Sequence, residues 1–256
     1  ASFTDVPGGT ANWTFTSPSV NYNNANGSVS IDISKKPVTG IFTVANKVFD
    51  GNTNATILTR SLTGVIAGDS CTLSGGSTAF PSSAVGTWTL TLAGWILTGA
   101  DCDNYVLAAN PTTQASITAW NAQGYGFYQP VGVSNSIFTP APALAPSVNP
   151  TAVWNTVKGG STVPLKFNVY AGATEKTSLA DILSFNQQKL GSCGGTGVDD
   201  PIDISDTGGT TLRYDGTGAQ WIQNWKTPKV SVDTCYRAWV TFADGSSLEA
   251  FFKLKK

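Results

Sequence analysis

The chain contains no histidine and no methionine, and only 12% of its 256 residues are charged, roughly half the usual fraction for a soluble domain. The missing histidine excludes Ser-His-Asp and Cys-His catalysis, imidazole metal sites and a histidine pH switch. A net charge of -1 with pI near 5.3 leaves no electrostatic footprint for nucleic acid or an anionic membrane surface. Long apolar runs are also missing. The longest, such as Trp95-Ile96-Leu97, are strand-sized and far short of the ~18 residues that span a bilayer. The chain starts at Ala1 with no charged and apolar leader, which is read as a secretory signal already removed. No motif asks for a cofactor.

What is present is hydroxyl and turn chemistry: 33 Thr, 24 Ser, 27 Gly and 13 Pro. The hydrophobic fraction, 41%, is high enough for real cores, which argues against disorder. Period-two alternation dominates. Val29, Ile31 and Ile33 alternate with Ser30 and Asp32, and Trp88, Leu90 and Leu92 with Thr89 and Thr91. Val163, Leu165, Phe167 and Val169 follow the same rule, as do Tyr236, Ala238, Val240 and Phe242, and Leu248, Ala250, Phe252 and Leu254. Such runs, punctuated by Asp50-Gly51, Gly75-Gly76, Gly208-Gly209, Asp215-Gly216 and Asp244-Gly245, predict half-buried antiparallel strands and an all-β fold of β-sandwiches. One stretch, Ser178–Leu183, places Leu179, Ile182 and Leu183 at helical spacing and predicts at most two helical turns.

The length suggests two domains and a remainder. A Pro/Ala-rich stretch near 138–150 is stiff and coreless, and a boundary falls near Lys35-Lys36-Pro37. The expected division is an incomplete N-terminal segment at 1–36, a small sandwich at 37–119, and a second sandwich at 120–256. Cys71 with Cys102 and Cys193 with Cys235 each fall inside one expected domain, which favours two local disulfides in an oxidising compartment. Four buried thiols in a reducing cytoplasm are the alternative.

Residues 41–119 resemble the YDG domain of bacterial surface repeats. The resemblance rests on Asn46-Lys47-Val48-Phe49-Asp50-Gly51-Asn52-Thr53-Asn54-Ala55-Thr56, with Phe where the family usually has Tyr. It extends to Leu97-Thr98-Gly99-Ala100-Asp101 and Asn104-Tyr105-Val106-Leu107. Residues 125–256 resemble the PxKF domain of bacterial exported proteins. Gly126 to Val131 matches its opening, and Asn155 to Phe167, containing Val163-Pro164-Leu165-Lys166-Phe167, its naming motif. Cys193, Leu212 to Asp215, Trp225-Lys226-Thr227, Cys235 and Phe251 to Leu254 match the rest. The Pro-rich insertion departs from that pattern. Residues 11–34 resemble the last strands of an immunoglobulin-like repeat. These resemblances imply tandem immunoglobulin-like antiparallel β-sandwiches with an incomplete N-terminal repeat, of the kind strung in adhesin-like proteins, and neither of the two main families implies an enzymatic activity.

Other chemistry is thin. Asp199, Asp200, Asp203 and Asp206 form an acidic cluster without the spacing or closing glutamate of an EF-hand, and no metal is expected. Trp154, Trp221, Trp225 and Trp239 lie in the C-terminal domain. Alternation puts Trp239 on the outward face, where it would serve as a sugar-stacking platform. Lys47 is a positional candidate for the Lys–Asn crosslink of some immunoglobulin-like adhesins, which needs a buried Lys beside an acid. Asn12-Trp13-Thr14, Asn26-Gly27-Ser28 and Asn54-Ala55-Thr56 match the N-glycosylation sequon, a match that chance also supplies in a Thr-rich chain.

Residues 1–36 hold two strands, near 11–16 and 27–34, and a lone hairpin is marginal in water. Trp13, Phe15, Val29, Ile31 and Ile33 therefore need a partner surface. The expectation is a non-catalytic extracellular structural subunit that complements copies of itself through this segment. The alternative is a stalk or terminal module of a surface adhesin with a cell-surface or glycan ligand.

Overall fold

The computed structural model of the chain describes residues 2–121, 126–132, 136–140, 153–191, 193, 199–204 and 210–256. Among them, strands joined by turns dominate, and helix is limited to short 3₁₀ turns such as Cys102–Asn104 and Leu179–Asp181. No helix is long and apolar enough to cross a membrane. Two compact units emerge, interleaved in sequence. One comprises Ala1–Ala45, Thr53–Pro81 and Trp88–Ala115; the other comprises Asn46–Asn52, Ser82–Thr87 and Ser116–Lys256. The expected Pro-rich segment beyond residue 140, the Gly208-Gly209 turn and Asp206 lie outside the described residues.

In chain order the first strands are β1 (Gly8–Phe15), β2 (Ala25–Asp32), β3 (Lys36–Val44), β4 (Lys47–Val48) and β5 (Ile57–Thr63). They are followed by β6 (Thr72–Ser77), β7 (Gly86–Thr91), β8 (Ala93–Thr98), β9 (Tyr105–Leu107) and β10 (Thr112–Thr118). β3 shows how sequence sets the first unit. Val38, Gly40, Phe42 and Val44 alternate inward and are buried, while Thr39, Ile41 and Thr43 face out. β3 pairs antiparallel with β5 and parallel with β9, and β6 pairs antiparallel with β8. Leu73, Phe80, Leu90, Leu92, Tyr105 and Leu107 complete the buried set. Gly40 has no room for a side chain, since a Cβ there would lie 2.6 Å from Pro111.

The outward threonines satisfy one another. Thr43 and Thr59 hydroxyls meet at 2.6 Å across β3 and β5, and Ser74 and Thr98 at 2.6 Å across β6 and β8. Hydroxyl pairs of this kind are a recognised cross-strand stabiliser. They let these faces manage with few charges. The Tyr105 phenol donates to Asp69 and accepts the Ile66 N–H, pinning the loop before Cys71. Cys71 is joined to Cys102 across 31 residues.

The second unit adds β11 (Ser136–Thr139), β12 (Trp154–Lys158), β13 (Thr162–Phe167), β14 (Tyr170–Ala171), β15 (Thr174–Glu175) and β16 (Ile182–Leu190). Then come β17 (Ile202–Asp203), β18 (Thr210–Asp215), β19 (Gln220–Lys226), β20 (Thr234–Phe242) and β21 (Ser247–Lys255). The large sheet runs β11-β21-β20-β16-β17, with β12 also pairing β21 in parallel; the small sheet runs β13-β19-β18. Their inner faces share one core. Val163, Leu165 and Phe167 from β13 meet Trp221 and Trp225 from β19, with Val240, Phe242, Leu248 and Phe252 opposite. Trp225 is fully buried, donates to Gln187 Oε1 at 2.8 Å, and packs edge-on to Phe252. Cys193 is joined to Cys235 across 42 residues.

Two expectations change. The Ser178–Leu183 stretch is not a two-turn helix. Ser178 and Asp181 form a capping box around one 3₁₀ turn, and β16 starts at Ile182, paired with Phe242. Leu183 is the extra residue of a β-bulge between Ile182 and Ser184. Sheet pairing overrides the local periodicity, and Leu179 and Leu183 stay exposed. Trp239 is on the outward face of β20, yet it is only 7% exposed. Alternation specifies a side of the sheet, not whether that side is covered.

Candidate functional site

The N-terminal hairpin is the most sharply two-faced feature of the chain. β1 and β2 pair from Gly8↔Asp32 to Phe15↔Ala25. Directly opposed residues share a face, so the register puts Ala11, Trp13 and Phe15 beside Val29, Gly27 and Ala25. The other face carries Thr10, Asn12, Thr14, Asn26, Ser28 and Ser30. One side is therefore apolar and the other wholly polar. Trp13 is 51% exposed, Phe15 47% and Val29 54%, whereas Ile31 and Ile33 are half-buried. Among the described residues, β1 and β2 pair only with each other.

Local chemistry builds the hairpin. The Trp13 ring lies over its cross-strand partner Gly27, where a Cβ would come within 2.7 Å of the ring. An aromatic side chain thus covers the backbone that glycine leaves bare. Gly8 has φ +93°, and a Cβ there would sit 2.0 Å from the Ile31 carbonyl oxygen. At the tip, Ser17 N–H donates to Asn24 Oδ1 and Asn21 N–H to Ser19 Oγ. At the base, Ile33 N–H donates to the Pro7 carbonyl. Val6 N–H donates to Asn104 Oδ1 at 2.9 Å, and Asn104 Nδ2 to Asp5 Oδ1 at 2.7 Å. These last two bonds tie the root of the hairpin to the turn after Cys102.

The sequons Asn12-Trp13-Thr14 and Asn26-Gly27-Ser28 share the polar face, with Asn12 opposite Ser28 and Thr14 opposite Asn26. Asn12, Asn26 and Asn54 are all exposed. Asn54 lies at an isolated bridge to Ala79.

Lys47 and its neighbours form a compact ion clamp. Its ammonium donates to Asp50 Oδ1 at 2.8 Å, Asn52 O at 2.7 Å and Asn52 Oδ1 at 3.0 Å. Gly51, at φ +78°, supplies the left-handed step that brings these acceptors together. Partial desolvation pushes the Asp50 carboxyl upward, but Lys47 and the Asn52 N–H outweigh it and hold it below its ordinary value. Asp50 is well exposed, so the clamp lacks the burial that a Lys–Asn crosslink needs. Within the same unit, Phe49 packs edge-on to Trp120, whose Nε1 donates to the Phe49 carbonyl and whose N–H donates to Asp244.

The outer face of the large sheet holds a group that motif reading missed. Glu249 on β21 is 3% exposed and lies across from Trp239. Arg237 sits over the Trp239 ring at 4.8 Å and donates to Gln188 Oε1. Burial pushes the Glu249 carboxyl up to about 7 against the pull of Arg237. A cation and an anion facing outward on successive strands were visible in the sequence, but only the register brings them together. Trp239, buried beneath Arg237, offers no open face for a sugar ring. Asp199 is engaged locally, accepting the Lys189 N–H at 2.9 Å. Among the described residues no cluster of three or more metal-ligating side chains occurs.

No curated protein matches the chain. Comparison with known families matches residues 34–115, and that stretch is a YDG domain.

Proposed function

We propose that the protein is a non-catalytic extracellular structural protein whose N-terminal hairpin is an assembly surface between copies, building a cell-surface filament head to tail. The observation that carries this reading is the half-exposed apolar face of Trp13, Phe15 and Val29 on a hairpin with two free edges among the described residues. Natural sheets protect free edges with charge, proline or bulges. β1 contains neither charge nor proline, and β2 carries only Asp32 at its end. Magnitudes favour strand addition over simple face-to-face contact. Covering the exposed halves of three large side chains removes on the order of 300 Å², worth ~7 kcal/mol. Association costs ~4–15 kcal/mol in lost freedom, so backbone pairing along the edges has to add to side-chain burial.

Two disulfides fit an oxidising compartment, and the absence of histidine fits a protein without acid–base chemistry. The resemblance of residues 125–256 to the PxKF domain of exported proteins supports the same location. A second reading, a stalk module of a surface adhesin, is favoured by the YDG domain itself, since such repeats occur in strings. Negative-stain microscopy of the chain distinguishes the two. Regular filaments that vanish in a Trp13→Asn/Val29→Asn variant fit the subunit reading. Isolated rods in both samples fit the stalk.

A further inference from the structure

Among the described residues, the second unit has an open side. β16 pairs with β20 along its length, but on its other edge β17 covers only Asn186 and Gln187. The stretch Ile182–Phe185 thus has one strand neighbour among the described residues. Across the sandwich, β18 pairs only with β19 among the described residues. Where these edges part, a groove of about 200 Å³ opens, lined by Leu179, Ile182, Leu183, Phe185 and Leu212, with Asp203 its one acid. Leu179 and Leu183 are 60% and 64% exposed. The bulge at Leu183 turns this side chain out of the regular ladder.

We infer that this groove receives the N-terminal hairpin of a second copy of the chain, the hairpin extending the small sheet at β18 and laying Trp13, Phe15 and Val29 over Leu179 and Leu183. The inference rests on the assembly reading above and names its acceptor. Three features select a second copy as the occupant. The hairpin supplies what the groove lacks, a strand pair whose one face carries Ala11, Trp13, Phe15, Val29 and Ile31 and whose one charge is the terminal Asp32. Charge presents no barrier, because the chain carries a net charge of -1 and the hairpin strands only Asp32, and near-neutral surfaces associate readily. The apolar surface also adds up. Roughly 300 Å² from the hairpin and about 200 Å² from the two leucines approach the apolar share of a small specific interface. An N-terminal hairpin seated in a groove of the C-terminal unit is a heterologous contact, which propagates when it does not close into a ring.

Thiol trapping tests this. All four native cysteines are disulfide-bonded, so introduced cysteines are the only free thiols. Val29→Cys chain is mixed with Leu183→Cys chain under mild oxidation and run on a non-reducing gel. Val29→Cys mixed with Val232→Cys, another exposed site, is the control. A crosslinked dimer at least tenfold stronger for the 29/183 pair than for the 29/232 pair is expected. Equal or absent crosslinking, with wild-type chain still associating and Trp13→Asn chain not, overturns the groove and leaves the hairpin reading standing. No association of wild-type chain at any concentration overturns both.

Discussion

Glu249→Gln will flatten the pH dependence of unfolding between pH 4.5 and 7. The folded chain holds the Glu249 proton more tightly than the unfolded chain, because burial raises the carboxyl from 4.5 to about 7 despite Arg237. Stability from this group is therefore complete below the unfolded value and is lost as pH rises through the folded one. A shift of about 2.5 units at 1.36 kcal/mol each makes the loss on the order of 3 kcal/mol. Above pH 7 this group contributes no further slope. Asp50 and Asp233, both held low by lysine partners, act in the opposite direction and only in more acidic solution, so they cancel in the difference between wild type and variant. The assay is urea unfolding from pH 4.5 to 8, followed by the fluorescence of buried Trp221 and Trp225. A wild-type profile that rises with pH across this window, or a Glu249→Gln variant with an unchanged slope, would refute the reasoning.

Other substitutions probe the scaffold. Trp225→Phe leaves Gln187 Oε1 without its buried donor and will cost about 2 kcal/mol, read from urea unfolding. Replacing Cys71 and Cys102 together by serine opens a 31-residue loop and will lower stability by ~3–4 kcal/mol, measured by the same method. Gly8→Ala forces a Cβ against the Ile31 carbonyl at a left-handed φ. It will loosen the hairpin base, seen as lost amide-exchange protection at Ile33, with exchange in β20 unaltered.

The strands were largely legible because period-two patterning is read locally. Val163, Leu165 and Phe167 alternate inward as their sequence implies, and both N-terminal strands were visible, although β1 runs Gly8–Phe15 rather than 11–16 and β2 Ala25–Asp32 rather than 27–34, because cross-strand pairing sets their ends. What escaped depends on partners distant in sequence. Leu179, Ile182 and Leu183 have helical spacing, yet β20 captures Ile182 and extrudes Leu183 as a bulge. Trp239 is outward by alternation and buried by what covers it. Glu249 becomes a buried acid only where β21 meets β20. The groove at Leu183 exists because β17 is two residues long, a length no local pattern encodes. The Lys47–Asn52 motif was visible as a string of residues, but its role as an ion clamp emerged only when three acceptors closed on one ammonium.

The central claim is that the apolar face of the hairpin joins copies of the chain. Sedimentation velocity over a hundredfold range of concentration, wild type against Trp13→Asn/Val29→Asn, tests it most directly. Both positions are about half exposed, but Trp13 also packs over Gly27, so amide-exchange protection at Ile33, which is bonded to the Pro7 carbonyl, checks that the hairpin is formed in both proteins. The account predicts species that grow with concentration for wild type and a monomer throughout for the variant. Identical sedimentation of the two proteins would contradict it.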